Sequence, residues 1–279
     1  MKRELTEVRH WTRASNPDRR KEELAGEEPL EIRVDTRPVS VTMRTPGHDL
    51  ELAAGFLLSE GLVRRRSDVV EIKPHPRHRE GNVIDVFLSP NVKVDFSQLT
   101  RHVFASSSCG LCGKATIKAV HRRFKPLRSH LVVATGTLLQ LPDRMRRLQE
   151  TFERTGGLHA AAIFDCAGNV VVVREDVGRH NAVDKVIGFG LMQDQLPFAA
   201  HILMVSGRVS FEIVQKALAA GIVMVCAVSA PSSLAVAFAR RSGQTLVGFL
   251  RGKSFNVYSH PERISKTGAA VKEPRVKPG

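Results

Sequence analysis

The 279-residue sequence contains no hydrophobic run of the roughly 18 to 20 residues that a membrane-spanning helix requires. Its first residues, Met1 to Trp11, include no apolar stretch that could serve as a signal peptide. Cysteine is also scarce, because the chain has four in all, and so few do not make a disulfide scaffold. We therefore expect a cytoplasmic protein with no membrane partner.

Aromatic residues other than phenylalanine are almost absent: there is one Trp and one Tyr beside 13 Phe. The net charge is +14 and the pI about 10.2, which favours polyanionic partners such as nucleic acid, a nucleotide-bearing cofactor or an acidic protein. A basic RNA-binding protein is one alternative, and it would bind RNA in a salt-sensitive way. Because tryptophan and tyrosine platforms for bases are scarce, we expect no nucleic-acid partner.

The order of polar and apolar segments predicts an α/β protein. Residues 1–26 and 265–279 are polar and are expected to be mobile tails. Between them we predict a smaller α+β part, 27–128, and an α/β part, 129–264, with the change between Pro126 and Gly156. Strands are predicted at 30–34, 39–43 and 83–88, and a helix near 50–58 that Gly61 ends.

Strand and helix patterns alternate in the second half. A β-hairpin is predicted over 158–174 and a helix over 180–191, followed by strands at 202–205, 222–228 and 246–250 and helices at 211–219 and 234–241. Apolar strands that alternate with helices indicate a largely parallel sheet covered on both faces.

Small, hydroxyl and basic residues follow the predicted strands. They are Ser206-Gly207-Arg208, Ser229 to Ser233, and Arg251-Gly252-Lys253. Open α/β sheets bind ligands at the carboxyl ends of their strands, and helix N-termini add N–H donors there. These loops therefore predict a site for a phosphate or guanine group; the alternative is that Ser206 and Ser232 only cap helices.

Two thiols lie among glycines in the segment Ser106-Ser107-Ser108-Cys109-Gly110-Leu111-Cys112-Gly113-Lys114. Positions 96–142 contain no Asp or Glu but seven Lys and Arg, and this charge should favour the reactive thiolate. A zinc site would need scattered further ligands, while a redox pair and a sulfur-transfer site cannot be separated by spacing alone. Cys166 and Cys226 are expected to be structural.

A second dense cluster runs from Glu175 to Lys185. Asp176 could cap the helix that follows it, and His180, Asp184 and Lys185 would lie near one another on that helix. A capped helix with a surface ion pair is one interpretation, and ligand binding is the one we favour. The motifs of NTP hydrolysis and of Rossmann dinucleotide binding are missing.

Further motifs lie at 45–49, 55–61, 157–161 and 248–258, beside the Ser-Ser-Cys-Gly-Leu-Cys-Gly-Lys run, 176–185 and 206–208. Together these segments resemble the formate dehydrogenase accessory sulfurtransferase family, FdhD, from about Pro29 to Arg263. The resemblance implies a sulfurtransferase in which Cys109 carries a persulfide and Cys112 assists or resolves. It also implies a C-terminal three-layer part like the cytidine deaminase fold, without its zinc ligands.

The same resemblance implies the partners. A cysteine desulfurase would donate the sulfur, the bis-guanine-dinucleotide form of the molybdenum cofactor would receive it as a bound substrate, and formate dehydrogenase would take up that cofactor. No permanent cofactor and no metal are implied, and members are expected to act as homodimers. A cofactor chaperone without sulfur transfer is the alternative. The expected cofactor-binding residues are Phe249, Leu250, Arg251, Gly252, Lys253 and Ser254, with Arg179, His180, Asn181, Ser206 and Arg208.

Overall fold

The structure is a computed structural model that describes residues 3–13, 17–76, 81–94, 96, 120–121 and 123–267. The described helices are α1 (Asp49–Ser59), α2 (Thr135–Arg146), α3 (Glu150–Thr155), α4 (Arg179–Met192), α5 (Phe211–Ala219) and α6 (Ser233–Ser242). The described strands are β1 (Arg3–His10), β2 (Asp18–Ala25), β3 (Glu28–Val34), β4 (Arg37–Arg44), β5 (Val69–Pro74), β6 (Val83–Leu88), β7 (Val133–Ala134), β8 (His159–Asp165), β9 (Val170–Asp176), β10 (His201–Val205), β11 (Met224–Ala227), β12 (Thr245–Arg251), β13 (Ser254–Ser259) and β14 (Ile264–Ser265). The predicted α/β class is confirmed.

The chain divides into two compact units, each assembled from separate segments. The first unit contains residues up to 109, 147–161 and 173–194, and the second contains 110–146, 162–172 and the residues from 195 onward. This division differs from the predicted sequential parts, 27–128 and 129–264. The difference arises because the chain changes unit after residues 109, 146, 161, 172 and 194 instead of once near 128.

The first unit is built around a four-stranded sheet with the order β4-β3-β6-β5. Strand β3 is antiparallel to β4 and parallel to β6, and β5 is antiparallel to β6. Alternate residues of β3, Leu30, Ile32 and Val34, are fully buried, as expected for a strand with one face against a core. The predicted strands at 30–34, 39–43 and 83–88 are therefore confirmed.

Helices α1 and α4 pack in the first unit with their backbones in contact at two glycines. A Cβ at Gly55 would lie 1.8 Å from the carbonyl oxygen of Asp184, and a Cβ at Gly188 would lie 1.8 Å from that of Glu51. Only glycine lets the two helices approach so closely. Helix α1 ends just before Gly61, whose φ of 72° lies in the left-handed region, as the sequence predicted.

The N-terminal segment, expected to be a mobile tail, contains the antiparallel pair β1–β2. Glu7 stands opposite Lys21 across the pair, whereas Arg9 stands opposite Arg19. Strand β2 also lies against α3 in the same unit. Composition did not reveal this pair, because it is held by backbone hydrogen bonds and polar side chains, while the side chain of Trp11 is 70% exposed.

Strands β10 to β13 of the second unit belong to a six-stranded sheet with the order β13-β12-β11-β10-β8-β9, and β7 and β14 form a separate parallel pair. Strands β10, β11 and β12 are parallel, and β13 is antiparallel to β12. We predicted a largely parallel sheet; the turn at Gly252-Lys253 instead sends the chain back as β13. Fully buried apolar residues fill the three parallel strands: Ile202, Leu203, Met224, Val225, Leu246 and Val247.

Helices α5 and α6 follow β10 and β11 at the predicted positions. Ser232 caps α6 because its hydroxyl accepts a hydrogen bond from the Ala235 amide (3.2 Å). The same helix ends at Gly243, whose φ is 70°. Within the described ranges, no helix has the length and apolar composition needed to cross a membrane.

We expect Gly55→Ala and Gly188→Ala each to lower the free energy of unfolding by about 3 kcal/mol, because the methyl group would overlap a backbone carbonyl. Urea unfolding measures the change. Gly136→Ala is the matched control, since its Cβ would meet nothing within 4 Å in helix α2, and it should not lose stability. A Gly55→Ala protein as stable as the parent would contradict the close helix contact.

Candidate functional site

The predicted reactive thiols, Cys109 and Cys112, lie outside the described residues, as does most of the helix predicted after them. The described chain resumes at Val120 and His121. The His121 ring stacks on Phe238 with centroids 5.3 Å apart, and its Nε2 lies 2.9 Å from the Ser242 hydroxyl. The chain that follows the thiols is therefore attached to helix α6 in the second unit.

The cluster predicted over Glu175 to Lys185 forms a buried polar network in the first unit. Lys185 and Asp176 are both fully buried, and Nζ of Lys185 lies 2.7 Å from Oδ2 of Asp176. The ammonium also donates to the backbone carbonyls of Thr45 (3.0 Å) and Glu175 (3.3 Å). This is a buried ion pair whose lysine has further acceptors, not the surface pair that one interpretation predicted.

Asp176 does not cap helix α4, contrary to one expectation. The N-cap residue is Gly178, and the Asp176 carboxylate accepts hydrogen bonds from the backbone amides of Thr45 (3.2 Å) and Gly178 (2.8 Å). It also accepts one from the side-chain amide of Asn181 (3.0 Å). Because a buried carboxylate must satisfy its oxygens, the turn before α4 folds around Asp176.

Of the three predicted ligand residues on α4, Asn181 is nine-tenths buried and bonded within the unit. Its Nδ2 donates to the Met43 carbonyl (2.8 Å) as well as to Asp176. Arg179 and His180 are half-buried at the first turn of the helix. The carboxylate of Asp184, which the sequence placed beside His180, accepts a hydrogen bond from the Ser59 hydroxyl (2.8 Å).

Sequence reasoning missed a second ion pair in the first unit, between Arg174 and Glu51. The guanidinium makes two contacts with the carboxylate, at 2.6 and 2.7 Å. Burial of the Glu51 carboxyl opposes its ionisation, but Arg174 and His48 outweigh that effect and hold its pKa below the ordinary 4.5. The ionised Glu51 carboxylate therefore stabilises the fold at pH values above its ordinary pKa. This stabilisation is lost as the pH falls through the lower pKa that the carboxyl has in the folded protein.

In the second unit, the loops after β10, β11 and β12 meet at one edge of the sheet. The Val209 amide donates to the Ala230 carbonyl (3.1 Å), and the Ser232 amide donates back to Val209 (2.9 Å). The Phe249 amide donates to the Ser229 carbonyl (3.1 Å). The structure thus joins the loops after β10 and β11 to each other, and joins the second of them to the end of β12, just before the Arg251-Gly252-Lys253 turn.

The side chains at this edge are basic and exposed. Arg208, Arg251 and Lys253 are all exposed to solvent, and Ser206 is half-buried. Ser206 does not cap α5, whose N-cap residue is Ser210. The edge can therefore present guanidinium and ammonium groups to an anionic ligand.

The predicted binding run at Phe249 to Ser254 forms the hairpin between β12 and β13. Leu250 is fully buried, so it anchors the hairpin and does not face a ligand. Gly252 has a φ of 59°, as a two-residue turn requires, and Ser254 begins the return strand. The guanidinium of Arg251 lies 5.5 Å from the centroid of the Phe249 ring.

The two described cysteines are poorly placed for thiol chemistry. Burial raises the pKa of the fully buried Cys226 thiol in β11. Burial and the carboxylate of Asp165 raise the pKa of Cys166, whose Sγ also donates to the Ala200 carbonyl (3.0 Å). A raised pKa leaves little thiolate at neutral pH, as expected for structural cysteines.

A solved structure shares the fold. The crystal structure of a protein described as a formate dehydrogenase accessory protein from Desulfotalea psychrophila matches with a TM-score of 0.77 and 26% identity, over 94% of this chain and 99% of that one. The family model that matches residues 25–265 is described as the FdhD/NarQ family. The chain belongs to the FdhD/NarQ family, and the resemblance predicted from its motifs is confirmed.

Relatives named "Sulfur carrier protein FdhD" match nearly the whole chain. The protein from Mycobacterium tuberculosis is 54% identical over 92% of this chain and 97% of its own length. The protein from Streptomyces coelicolor is 47% identical over 96% of both chains. The one from the archaeon Sulfolobus acidocaldarius is 44% identical over 93% of this chain and 96% of its own.

We expect Lys185→Met to lower the free energy of unfolding by about 3–5 kcal/mol, because it leaves the Asp176 carboxylate buried without a partner. Chemical denaturation measures the loss. The double variant with Asp176→Asn should recover part of it, since no charge then remains buried. Lys73→Met is the matched control, because its pair with Glu71 has the same 2.7 Å separation but is exposed, and it should cost about 1 kcal/mol or less.

Alkylation should distinguish the four thiols. At neutral pH we expect iodoacetamide to modify Cys166 slowly, with a rate that still rises above pH 9, and to modify Cys226 only after denaturation. Cys109 or Cys112 should react first if their basic surroundings favour the thiolate. Peptide mass spectrometry gives the rate at each site, and rapid labelling of Cys166 at pH 7 would contradict the raised pKa.

Proposed function

We propose that this protein is a sulfur carrier that receives sulfur from a cysteine desulfurase on Cys109 and delivers it to the bis-guanine-dinucleotide form of the molybdenum cofactor. The observation that carries the proposal is the match of nearly the whole chain, at up to 54% identity, to proteins named as sulfur carriers. The described cysteines support it by elimination, because burial disfavours the thiolates of Cys166 and Cys226.

The loading step needs no oxidant or reductant. The Cys109 thiolate attacks the terminal sulfur of the donor's persulfide, and a new sulfur–sulfur bond forms on Cys109. The donor's own sulfur–sulfur bond breaks, and the donor cysteine leaves as a thiolate. Cys112 can then attack the inner sulfur of the Cys109 persulfide, which releases hydrosulfide and leaves a disulfide between the two cysteines.

The positive charge of the segment around the thiols and of the sheet edge supports an anionic substrate as the acceptor of the sulfur. The acid-free stretch at positions 96–142 surrounds both thiols in sequence, and the exposed Arg208, Arg251 and Lys253 lie at one sheet edge. A cofactor with two guanine dinucleotides carries a pyrophosphate in each, which guanidinium and ammonium groups can bind. In this proposal the edge holds the nucleotide ends of the substrate while the thiol acts on its metal centre.

The partners follow from the same proposal. The proposed loading of Cys109 needs a donor that carries a persulfide, and we propose that this donor is a cysteine desulfurase. The relative described as a formate dehydrogenase accessory protein supports formate dehydrogenase as the enzyme that takes up the sulfurated cofactor. We also propose that the protein acts as a homodimer in the cytoplasm.

A persulfide assay tests the carrier role. The purified protein is incubated with a cysteine desulfurase and cysteine, free thiols are alkylated, and the cysteine peptides are analysed by mass spectrometry. We expect a mass increase of about 32 Da, one sulfur atom, on Cys109. The adduct should be absent from Cys109→Ser and present in the control Cys166→Ser.

The competing function is a cofactor chaperone that binds the same substrate without moving sulfur. If neither Cys109 nor Cys112 gains sulfur while the desulfurase is active, the chaperone function is favoured. A measurement of formate dehydrogenase activity further distinguishes the sulfur carrier from the chaperone. Cys109→Ser should abolish the maturation of formate dehydrogenase while cofactor binding is retained, and full activity with that variant would end the sulfur-carrier proposal.

A further inference from the structure

The antiparallel pair β1–β2 has an open edge. It forms a two-stranded sheet by itself, so among the described strands β2 has a neighbour on one side only. Helix α3 contacts β2, in which Glu23 and Ala25 are half-buried while Glu22 and Leu24 are exposed. This alternation indicates that α3 lies against one face of β2 and not along its outer edge. The outer edge can therefore pair with a further strand.

The same pair of strands has apolar side chains that its own unit leaves uncovered. Leu5 is 72% exposed, Trp11 70% and Leu24 46%. A two-stranded sheet is only marginally stable by itself, and a third or fourth strand adds to its stability. Apart from Ala25, the pair precedes the residues that the family model matches, 25–265, so membership of the family does not explain it.

The order of charges along β2 indicates which strand fits its outer edge. From Arg19 to Glu23 the sequence reads Arg-Arg-Lys-Glu-Glu. When two copies of β2 run antiparallel about a two-fold axis at Lys21, Arg19 stands opposite Glu23 of the second copy. Arg20 then stands opposite Glu22 of the second copy, and the symmetry repeats both pairs. Opposite charges across antiparallel strands attract, so β2 is complementary to a second copy of itself.

The neighbouring registers lose this match. An axis at Arg20 would place Arg19 opposite Lys21, and an axis at Glu22 would place Arg20 opposite Leu24. Charges also protect many edge strands from pairing, but protection needs charge that repels a second copy. The charges of β2 attract a second copy in the register centred on Lys21.

Strand β1 supports the same register. The two lysines that meet at the axis each have Glu7 opposite them within their own pair of strands, which offsets their repulsion. In a single chain Arg19 stands opposite Arg9, and like charges in that position destabilise a sheet. The second copy would bring Glu23 to the other side of Arg19 and compensate that repulsion.

We propose that two copies of this chain associate through the outer edges of β2, in a four-stranded antiparallel sheet of the order β1-β2-β2-β1 with Lys21 at the two-fold axis. The inference rests on the homodimer of the proposed function, because it names the surface and the register of that association. Backbone hydrogen bonds between the two edges hold the strands together, and the charges select the register.

Sedimentation equilibrium of full-length charge variants tests the pairing. Arg19→Glu with Arg20→Glu should weaken the dimer by about tenfold or more, because like charges then face each other. Glu22→Lys with Glu23→Lys should weaken it to a similar extent. An equimolar mixture of the two variants should dimerise as the parent does, since the mixed dimer again pairs opposite charges, and this recovery also shows that both variants fold.

A matched control and a cross-link locate the contact. Arg64→Glu with Arg65→Glu makes the same change in net charge at exposed positions of the first unit and should leave the dimer unchanged. Under mild oxidation, Lys21→Cys should link two copies through a disulfide at that position, which peptide mass spectrometry identifies. Asp18→Cys should not link to its own copy, because the two would lie about 20 Å apart in this register.

Three results would overturn the inference. A dimer that is unchanged in both charge variants, with no disulfide in Lys21→Cys, would exclude this contact and leave the proposed homodimer intact. A parent protein that is monomeric at all concentrations would exclude both. Salt-sensitive RNA binding by such a monomer, lost in Arg19→Glu with Arg20→Glu, would assign the basic half of β2 to RNA. The persulfide assay on Cys109 is independent of these results.

Discussion

The buried ion pair of Lys185 and Asp176 is the interaction on which the first unit depends. Two opposite charges without solvent contact are tolerable only when every remaining donor and acceptor finds a partner. Here the partners come from the loop before α1, through Thr45, from the end of β9, through Glu175, and from the first turn of α4, through Gly178 and Asn181. Thr45 and the segment 175–185, which are far apart in sequence, are therefore held together, in the same unit in which α1 and α4 contact each other at Gly55 and Gly188.

In the second unit, the edge of the sheet at the ends of β10, β11 and β12 is held together by backbone contacts and not by a buried ion pair. Backbone hydrogen bonds join Val209 to Ala230 and Phe249 to Ser229, and the side chains of Arg208, Arg251 and Lys253 are exposed. A rigid backbone with exposed guanidinium groups is well suited to a large anion, since little is ordered on binding. The proposed function requires both this edge and the thiols of Cys109 and Cys112, whose positions are known from the sequence alone.

Local patterns predicted many elements of the described fold. Strand β3, with Leu30, Ile32 and Val34 on one face, and helix α5 at its predicted bounds illustrate how periodicity and end signals decide regular structure. The pair β1–β2 and the return strand β13 were missed. Both are held by backbone pairing with a neighbouring strand, and their mostly polar, exposed side chains leave no apolar pattern for sequence reasoning to detect.

By itself, the sequence determined the α/β class, the family and the identity of the candidate thiols, because those properties depend on residue type, spacing and local periodicity. It also singled out the loops of the binding edge. Only the tertiary structure decided that Asp176 pairs with Lys185 instead of capping α4, that Asn181 is bonded to Met43 and Asp176, and that the Phe249 backbone lies in the left-handed region. The physical reason is that each arrangement also depends on a separate segment of the chain. Thr45 bonds to Asp176 and Lys185, Met43 bonds to Asn181, and Ser229 bonds to Phe249, and no local pattern encodes those contacts.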